Sequence, residues 1–106
     1  MDEELLRKAI AVVEKNMDNV EFSTEQFARE MNMSRSNLHL KLKAITGKSA
    51  IDFIHNIRFN RACQLLKEGK YTVSEISFMV GYNTPSYFAA RFKKYIGCLP
   101  TEYGKK

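Results

Sequence analysis

Two groups of side chains, 50 residues apart, have the types and spacing needed to contact a double-stranded nucleic acid. Within each group the residues follow the i, i+3, i+4, i+7 pattern of one helix face. Hydroxyl, imidazole and ammonium groups can donate hydrogen bonds to base edges and phosphates, and apolar groups can contact the thymine methyl. The pattern predicts two faces for the DNA major groove: Ser36, His39, Leu40 and Lys43, and then Ser86, Ala89, Ala90 and Lys93.

The charge distribution favours a polyanionic partner. The 106-residue chain has a formal net charge of +5. Residues 1–30 contain eight acidic and four basic side chains, a balance of −4, whereas the remaining residues contain four acidic and thirteen basic ones, a balance of +9. A nucleic acid or an anionic membrane would suit the basic part, and a solvated lysine-rich surface is the alternative. For His39 alone, the corresponding alternative is a solvated helix residue.

Cysteine and histidine do not form a metal or catalytic pattern. Cys63 and Cys98 stand far apart, and His39 and His55 do not complete a zinc-ligand spacing with them. The sequence contains no nucleophile elbow, phosphate-binding glycine loop or paired inward carboxylates. We therefore expect no enzyme activity, no metal and no cofactor. We interpret Cys63 as a packing residue and Cys98 as a free thiol in a turn.

The elements that position the two faces are helices, and the chain is predicted to be all-α. Two helix starts are explicit. Ser23 should cap the first, with Gln26 reaching back and a Phe22 to Phe27 hydrophobic staple. Thr72 should cap the second in the same way, with Glu75 reaching back. The two starts are 49 residues apart, and the correspondence continues at an offset of 49 and then 50, which indicates a duplicated unit.

Each copy has the pattern of a helix-turn-helix. Asn32 and Gly81 are expected to adopt the left-handed conformation in the turn. Ser34 is expected to cap the second helix of the first copy, and Thr84, followed by Pro85 at the first helical position, should cap its counterpart. Apolar residues on these second helices should face the core, namely Leu38, Leu42 and Ile45 in the first copy and Phe88, Phe92 and Tyr95 in the second.

A long helix is predicted between the copies, over residues 49–69. It should be ~30 Å long, which is close to one turn of B-DNA at ~34 Å. Arg58 is expected to make structural hydrogen bonds rather than contact DNA. Phe78 and Met79 are open to two interpretations, as a partner surface or as packing against the long helix. The apolar face of the long helix should comprise Ile51, Ile54, Ile57, Ala62, Leu65 and Leu66.

A set of motifs identifies a family resemblance that covers essentially the whole chain. It closely resembles the DNA-binding domain of the AraC/XylS family of bacterial transcription regulators. The residues that carry the resemblance are Met33-Ser34-Arg35-Ser36-Asn37-Leu38, Leu42-Lys43, Thr46-Gly47-Lys48-Ser49, Ile57-Arg58-Phe59, Ala62, Leu65-Leu66, Glu75-Ile76, Val80-Gly81-Tyr82, Ser86-Tyr87-Phe88, Phe92-Lys93-Lys94, Gly97, Pro100 and Tyr103.

The resemblance implies about seven helices, arranged as two helix-turn-helix subdomains joined by a long linker helix. Within one domain over 1–106, the subdomains would span about 1–48 and 70–106, with the linker at about 49–69. The recognition helices would span about 35–45 and 85–96. Leu40 stands where the family commonly has arginine. The base-reading positions would be Ser36, His39, Leu40, Pro85, Ser86, Ala89 and Ala90, and the DNA-contacting set that we predict also includes Arg35, Lys43, Arg91 and Lys93.

The resemblance also implies partners and a cellular context. We expect promoter or operator DNA as the partner, RNA polymerase as a further candidate partner, and no membrane. The N-terminal MDEELLRKAI lacks the features of a secretory signal, which favours the cytoplasm of a bacterium. We expect an output domain or fragment of a larger sensor or response regulator, as in a two-component system, whose upstream sensing or receiver domain is missing from this chain. The alternative is a helical protein-interaction adaptor without specific DNA binding.

Overall fold

The computed structural model describes residues 2–104, and helices are the only regular secondary structure in that range. The all-α prediction and the seven helices are confirmed. None of the described helices is long and apolar enough to cross a membrane. The helices are α1 (Asp2–Lys15), α2 (Thr24–Glu30), α3 (Arg35–Thr46), α4 (Ala50–Glu68), α5 (Val73–Met79), α6 (Pro85–Ile96) and α7 (Pro100–Tyr103).

The described residues form two compact units. Unit 1 contains residues 2–16 and 21–57, and unit 2 contains residues 17–20 and 58–104. Helix α4 contributes its first part to unit 1 and its second part to unit 2. Its 19 residues correspond to ~28 Å at 1.5 Å per residue. The finer division into 1–48, 49–69 and 70–106 stays a prediction.

Unit 1 packs α1, α2 and α3 around a buried aromatic side chain. The ring centroid of Phe27 lies 5.8 Å from that of Phe22 and 5.9 Å from that of Phe53. The Phe22 contact confirms the predicted staple. Leu38 and Leu42 of α3 are completely buried beside this cluster, as predicted. These contacts fix which side of α3 faces the core and which side faces solvent.

Unit 2 is built around Phe59, a linker-helix residue that belongs to the motif set of the resemblance. Its ring stacks on Tyr82, with centroids 5.4 Å apart and an interplanar angle of 6°. Phe88 and Phe92 of α6 are each 6.0 Å away, and both are completely buried. Tyr95 contacts the same ring at 5.2 Å but keeps 36% of its surface exposed, so the prediction that it faces the core is only half right.

Arg58 has the structural role that the sequence predicts. Its Nη2 donates to the carbonyl of Asn19 at 2.9 Å, and its Nη1 donates to the carbonyl of Gly81 at 3.3 Å. Its guanidinium carbon also lies 5.5 Å from the centroid of the Tyr82 ring. Burial lowers the pKa of Arg58. Within unit 2, this side chain ties residue 19 to the turn between α5 and α6.

The turns of the two helix-turn-helix motifs have the expected backbone conformation. Asn32 has a φ of 58° and Gly81 a φ of 90°, both in the left-handed region. A Cβ at Gly81 would lie 2.5 Å from the carbonyl oxygen of Met17 and 2.7 Å from the guanidinium carbon of Arg58. Glycine at this position is therefore required both by its φ and by its neighbours.

The helix caps and the linker helix agree with the sequence prediction only in part. Ser23 and Ser34 cap α2 and α3, and Thr72 and Glu75 form the complete capping box of α5. Gln26 does not reach back to Ser23, because its amide donates to the Glu30 carboxylate at 3.0 Å. Thr84 takes the N-cap position of α6, but its side chain makes no cap hydrogen bond. Ile51 is 48% exposed rather than part of the buried face of α4.

Candidate nucleic-acid interface

Helix α3 is held at both ends by local signals. The Oγ of Ser34 accepts a hydrogen bond from the backbone N–H of Asn37 at 3.1 Å, which satisfies one of the free donors of the first turn. At the other end, Gly47 has a φ of 77° and closes the helix through its N–H, which donates to the carbonyl of Lys43. Caps at both ends and a buried stripe of leucines give α3 a defined rotation about its axis.

The opposite side of α3 carries the predicted contact residues. Ser36, His39, Leu40 and Lys43 are all exposed, as is Arg35 at the start of the helix. Leu40 keeps 64% of its surface in solvent, the largest exposed fraction among the large apolar side chains that are exposed in unit 1. An open cleft is lined by Arg35, Ser36, His39 and Leu40, so four of the predicted residues lie on one continuous surface.

A second open cleft adjoins this surface within unit 1. Arg35 and His39 line it together with residues from the starts of α2 and α4, namely Thr24, Ser49, Ala50 and Ile51. The exposed Ile51 side chain therefore faces a cleft instead of the core. The apolar pattern of the long helix placed Ile51 on its buried face, but the first turn of a helix can leave an apolar residue outside the packed layer.

Helix α6 repeats the arrangement in unit 2 with different side chains. Pro85 begins the helix, and Gly97, with a φ of 104°, ends it. Ser86, Ala90 and Lys93 are exposed, whereas Pro85 and Ala89 are half-buried. The prediction that these side chains face outward is therefore only partly correct for Ala89. Apart from the hydroxyl of Ser86, the side chains at the predicted base-reading positions of α6 offer carbon atoms only.

A pair of residues beside this face was only partly anticipated. The Nε of Arg91 donates to the hydroxyl of Tyr87 at 3.0 Å, and its guanidinium carbon lies 5.4 Å from the centroid of the Tyr87 ring. The hydrogen bond from Arg91 to Tyr87 raises the pKa of Arg91. We predicted Arg91 as a DNA contact but did not single out Tyr87. The i, i+4 spacing of an aromatic residue and an arginine on one helix was the available signal.

The described residues offer little to a metal ion or a nucleophilic mechanism. Within residues 2–104, no group of three His, Cys, Asp or Glu side chains could hold a metal ion. Cys63 is half-buried against the core of unit 2, and burial raises the pKa of its thiol, which disfavours the reactive thiolate. Cys98 is also half-buried, and both thiols are free.

Comparison with known proteins agrees with this geometry. Residues 27–106 match the family described as "Helix-turn-helix domain". The chain is 42% identical over 103 residues to "Histidine kinase P4" of Formosa agariphila, an alignment that covers 97% of this chain and 8% of that protein. It is 32% identical over 82 residues to the "MmsAB operon regulatory protein" of Pseudomonas aeruginosa, which covers 77% of this chain and 27% of that protein.

A solved structure shares the fold and much of the length. The C-terminal domain of AraT, a response regulator from Geobacillus stearothermophilus, superposes with a TM-score of 0.86 at 31% identity. The match covers 95% of this chain and 84% of that chain. By contrast, the chain spans less than a third of the length of the two curated relatives above.

Proposed function

The chain belongs to the AraC/XylS family of helix-turn-helix DNA-binding domains, and on this premise we propose that it binds duplex DNA sequence-specifically and regulates transcription. One observation carries the proposal. Two capped and well-packed helices, α3 and α6, each keep one face in solvent, and the two faces have the same register 50 residues apart. A packed helix with a polar, basic outer face is the element that enters the major groove in helix-turn-helix proteins.

In the mechanism that we propose, α3 supplies most of the base reading. Ser36 and His39 can exchange hydrogen bonds with base edges, and Leu40 can contact a thymine methyl. Arg35 and Lys43, at either end of the same face, would neutralise phosphates and set the register of the helix in the groove. Because Leu40 is 64% exposed, it is available for this contact and is not needed for the core.

Helix α6 would contribute mainly through the DNA backbone. Ala89 and Ala90 have no hydrogen-bonding side-chain atoms, so they allow close approach and contacts to methyl groups. Pro85 and Ser86 lie at the start of the helix, where the free backbone N–H groups favour a phosphate. Arg91 and Lys93 would neutralise further phosphates. The two helices would then engage successive major-groove segments on one side of the duplex, with α4 as the spacer between them.

The proposal includes a wider cellular role. We propose that the domain is an output module attached to a sensing or receiver domain in a larger bacterial regulator, that it acts in the cytoplasm, and that it has no enzymatic activity of its own. RNA polymerase is the further partner in this proposal. Much longer regulatory relatives support the first part, and the absence of a catalytic residue pattern from the sequence supports the last.

The decisive experiment selects duplexes from a random pool with the 106-residue chain and then titrates the selected and a scrambled duplex at several salt concentrations. If about five to seven phosphates are neutralised, log affinity should fall with log salt at a slope of about −5 to −6. The selected duplex should bind more tightly at every salt concentration. A flat salt response, or equal affinity for both duplexes, would favour the protein-interaction adaptor and contradict the proposal.

A further inference from the structure

Tyr87 and Arg91 lie together along one flank of the outer face of α6. At 100° per residue, they are rotated about 100° to 140° from Ser86, while Ala90 and Lys93 stay within about 40° of it. When a recognition helix lies in the major groove, its outermost residues face base edges and its flanks face the sugar-phosphate walls. If α6 enters the groove as proposed, the Tyr87–Arg91 pair faces phosphates.

The hydrogen bond within the pair engages one of the three guanidinium nitrogens of Arg91. The Nε of Arg91 is used by the Tyr87 hydroxyl at 3.0 Å. The two Nη groups carry the remaining four N–H donors, and their parallel arrangement matches two oxygens of a phosphate. Tyr87 therefore occupies the inner donor of Arg91, and the guanidinium carbon lies 5.4 Å from the centroid of its ring.

The tyrosine is itself attached to the core of unit 2. Its ring centroid lies 6.0 Å from that of Tyr82, a residue that is 4% exposed and stacks on the buried Phe59. Tyr87 keeps 44% of its surface exposed, so its hydroxyl can reach the surface while its ring packs against Tyr82. An arginine held in this way loses less side-chain entropy on binding than a freely moving one.

We propose that Tyr87 is a positioning residue for DNA binding, which holds the guanidinium of Arg91 so that its Nη groups bind a backbone phosphate at the edge of the groove. The inference rests on the proposed function. The equivalent positions of α3, 50 residues earlier, are Asn37 and Lys41, which lack both the ring and the guanidinium. The tyrosine–arginine pair therefore occurs only on α6, the recognition helix whose outer face has few hydrogen-bond donors.

The first test is the substitution Tyr87→Phe in the 106-residue chain. It keeps the ring and removes only the oxygen that accepts from Arg91. We expect affinity for the selected duplex and for a scrambled duplex to fall equally, by about 3-fold, because a phosphate contact carries no sequence information. The melting temperature should not change. Tyr71→Phe is the matched control, since Tyr71 is another half-exposed tyrosine of unit 2 and should leave affinity unchanged.

A double-mutant cycle shows whether Tyr87 acts through Arg91. Arg91→Gln alone should weaken binding by about 5-fold to 10-fold and reduce the salt slope by about 0.9. In that background, and in Arg91→Lys, which lacks the planar fork, Tyr87→Phe should cause no further loss. An equal loss in all three backgrounds, a loss confined to the selected duplex, or a lowered melting temperature would overturn the positioning role.

The free protein supplies a readout that does not depend on DNA. In ¹⁵N-labelled protein, the Nε–H of Arg91 should exchange slowly with solvent, and Tyr87→Phe should make this exchange fast. A wild-type chain that binds no duplex would refute the proposed function as a whole. A wild-type chain that binds normally, with Tyr87→Phe indistinguishable from it, would refute only the role of Tyr87.

Discussion

The two helix-turn-helix units share a construction but present different chemistry to a partner. In both, a capped helix packs two large apolar residues inward and leaves the opposite face in solvent. Both outer faces carry an exposed serine and an exposed lysine. Between them α3 offers an imidazole and an exposed leucine, whereas α6 offers two alanines, with a tyrosine-held arginine beside them. If both helices bind DNA as proposed, the two copies of this scaffold have different roles, with α3 suited to reading bases and α6 to holding the backbone.

The largest effect should come from separating the two units. Inserting two residues after Asn60 would rotate everything beyond that point by about 200° and shift it by ~3 Å along α4. If both units bind one duplex, simultaneous binding should fail, and affinity should drop by about 100-fold. Footprinting should show protection of one groove segment in place of two.

The control for the insertion is Asn60→Ala, which changes the same exposed position without changing the length of the helix. It should keep the full footprint. An insertion variant that retains wild-type protection over both segments would refute α4 as the spacer, and it would leave the separate roles of α3 and α6 to be tested on their own.

A second prediction concerns the turns of unit 2. Gly81→Ala combines a positive φ with a Cβ only 2.5 Å from the carbonyl oxygen of Met17, so it should lower the free energy of unfolding by about 3 kcal/mol. Gly97→Ala has the same kind of φ but nothing within 4 Å of the added Cβ, so its cost should be about 1 kcal/mol. Thermal denaturation of the two variants measures the difference. Equal losses would show that the close approach at Gly81 relaxes without cost.

A smaller effect is expected of Leu40 on base preference. Leu40→Ala should leave the free energy of unfolding nearly unchanged, because this side chain is 64% exposed, and should weaken binding to the selected duplex by ~1 kcal/mol. Leu40→Arg should move the preference at one position from A·T toward G·C. The competing interpretation, that Leu40 belongs to the core, requires Leu40→Ala to lose ~2 kcal/mol or more of folding stability with unaltered base preference.

Local sequence signals predicted the scaffold better than the surface. The capping box at Thr72 and the left-handed residues Asn32 and Gly81 depend on neighbouring residues, and the structure confirms them. The prediction for Gln26 is wrong because its side chain points one helical turn forward, where its amide NH2 donates to the carboxylate of Glu30. That carboxylate also accepts a hydrogen bond from Asn16 and forms an ion pair with Lys15. Both partners lie at the end of α1, so residue spacing within α2 does not reveal these contacts.

The candidate site was less predictable than the scaffold. Helical periodicity gave the exposed set on α3, because its buried stripe is defined by Leu38 and Leu42. On α6, periodicity does not distinguish a fully exposed alanine from a half-buried one, since small side chains fit either environment, and Ala89 is half-buried. The orientation of Arg91 depends on the anchoring of Tyr87 by Tyr82, which is a tertiary contact.

The most direct test of the division of work is the ratio of affinities for the selected and the scrambled duplex, measured for the wild type, for His39→Ala on α3 and for Arg91→Gln on α6. If α3 reads bases, His39→Ala should lower this ratio by about 10-fold. If Arg91 binds a phosphate, Arg91→Gln should weaken binding to both duplexes equally and leave the ratio unchanged. A ratio that is unchanged in His39→Ala, or that falls in Arg91→Gln, would contradict the division of roles between the two helices.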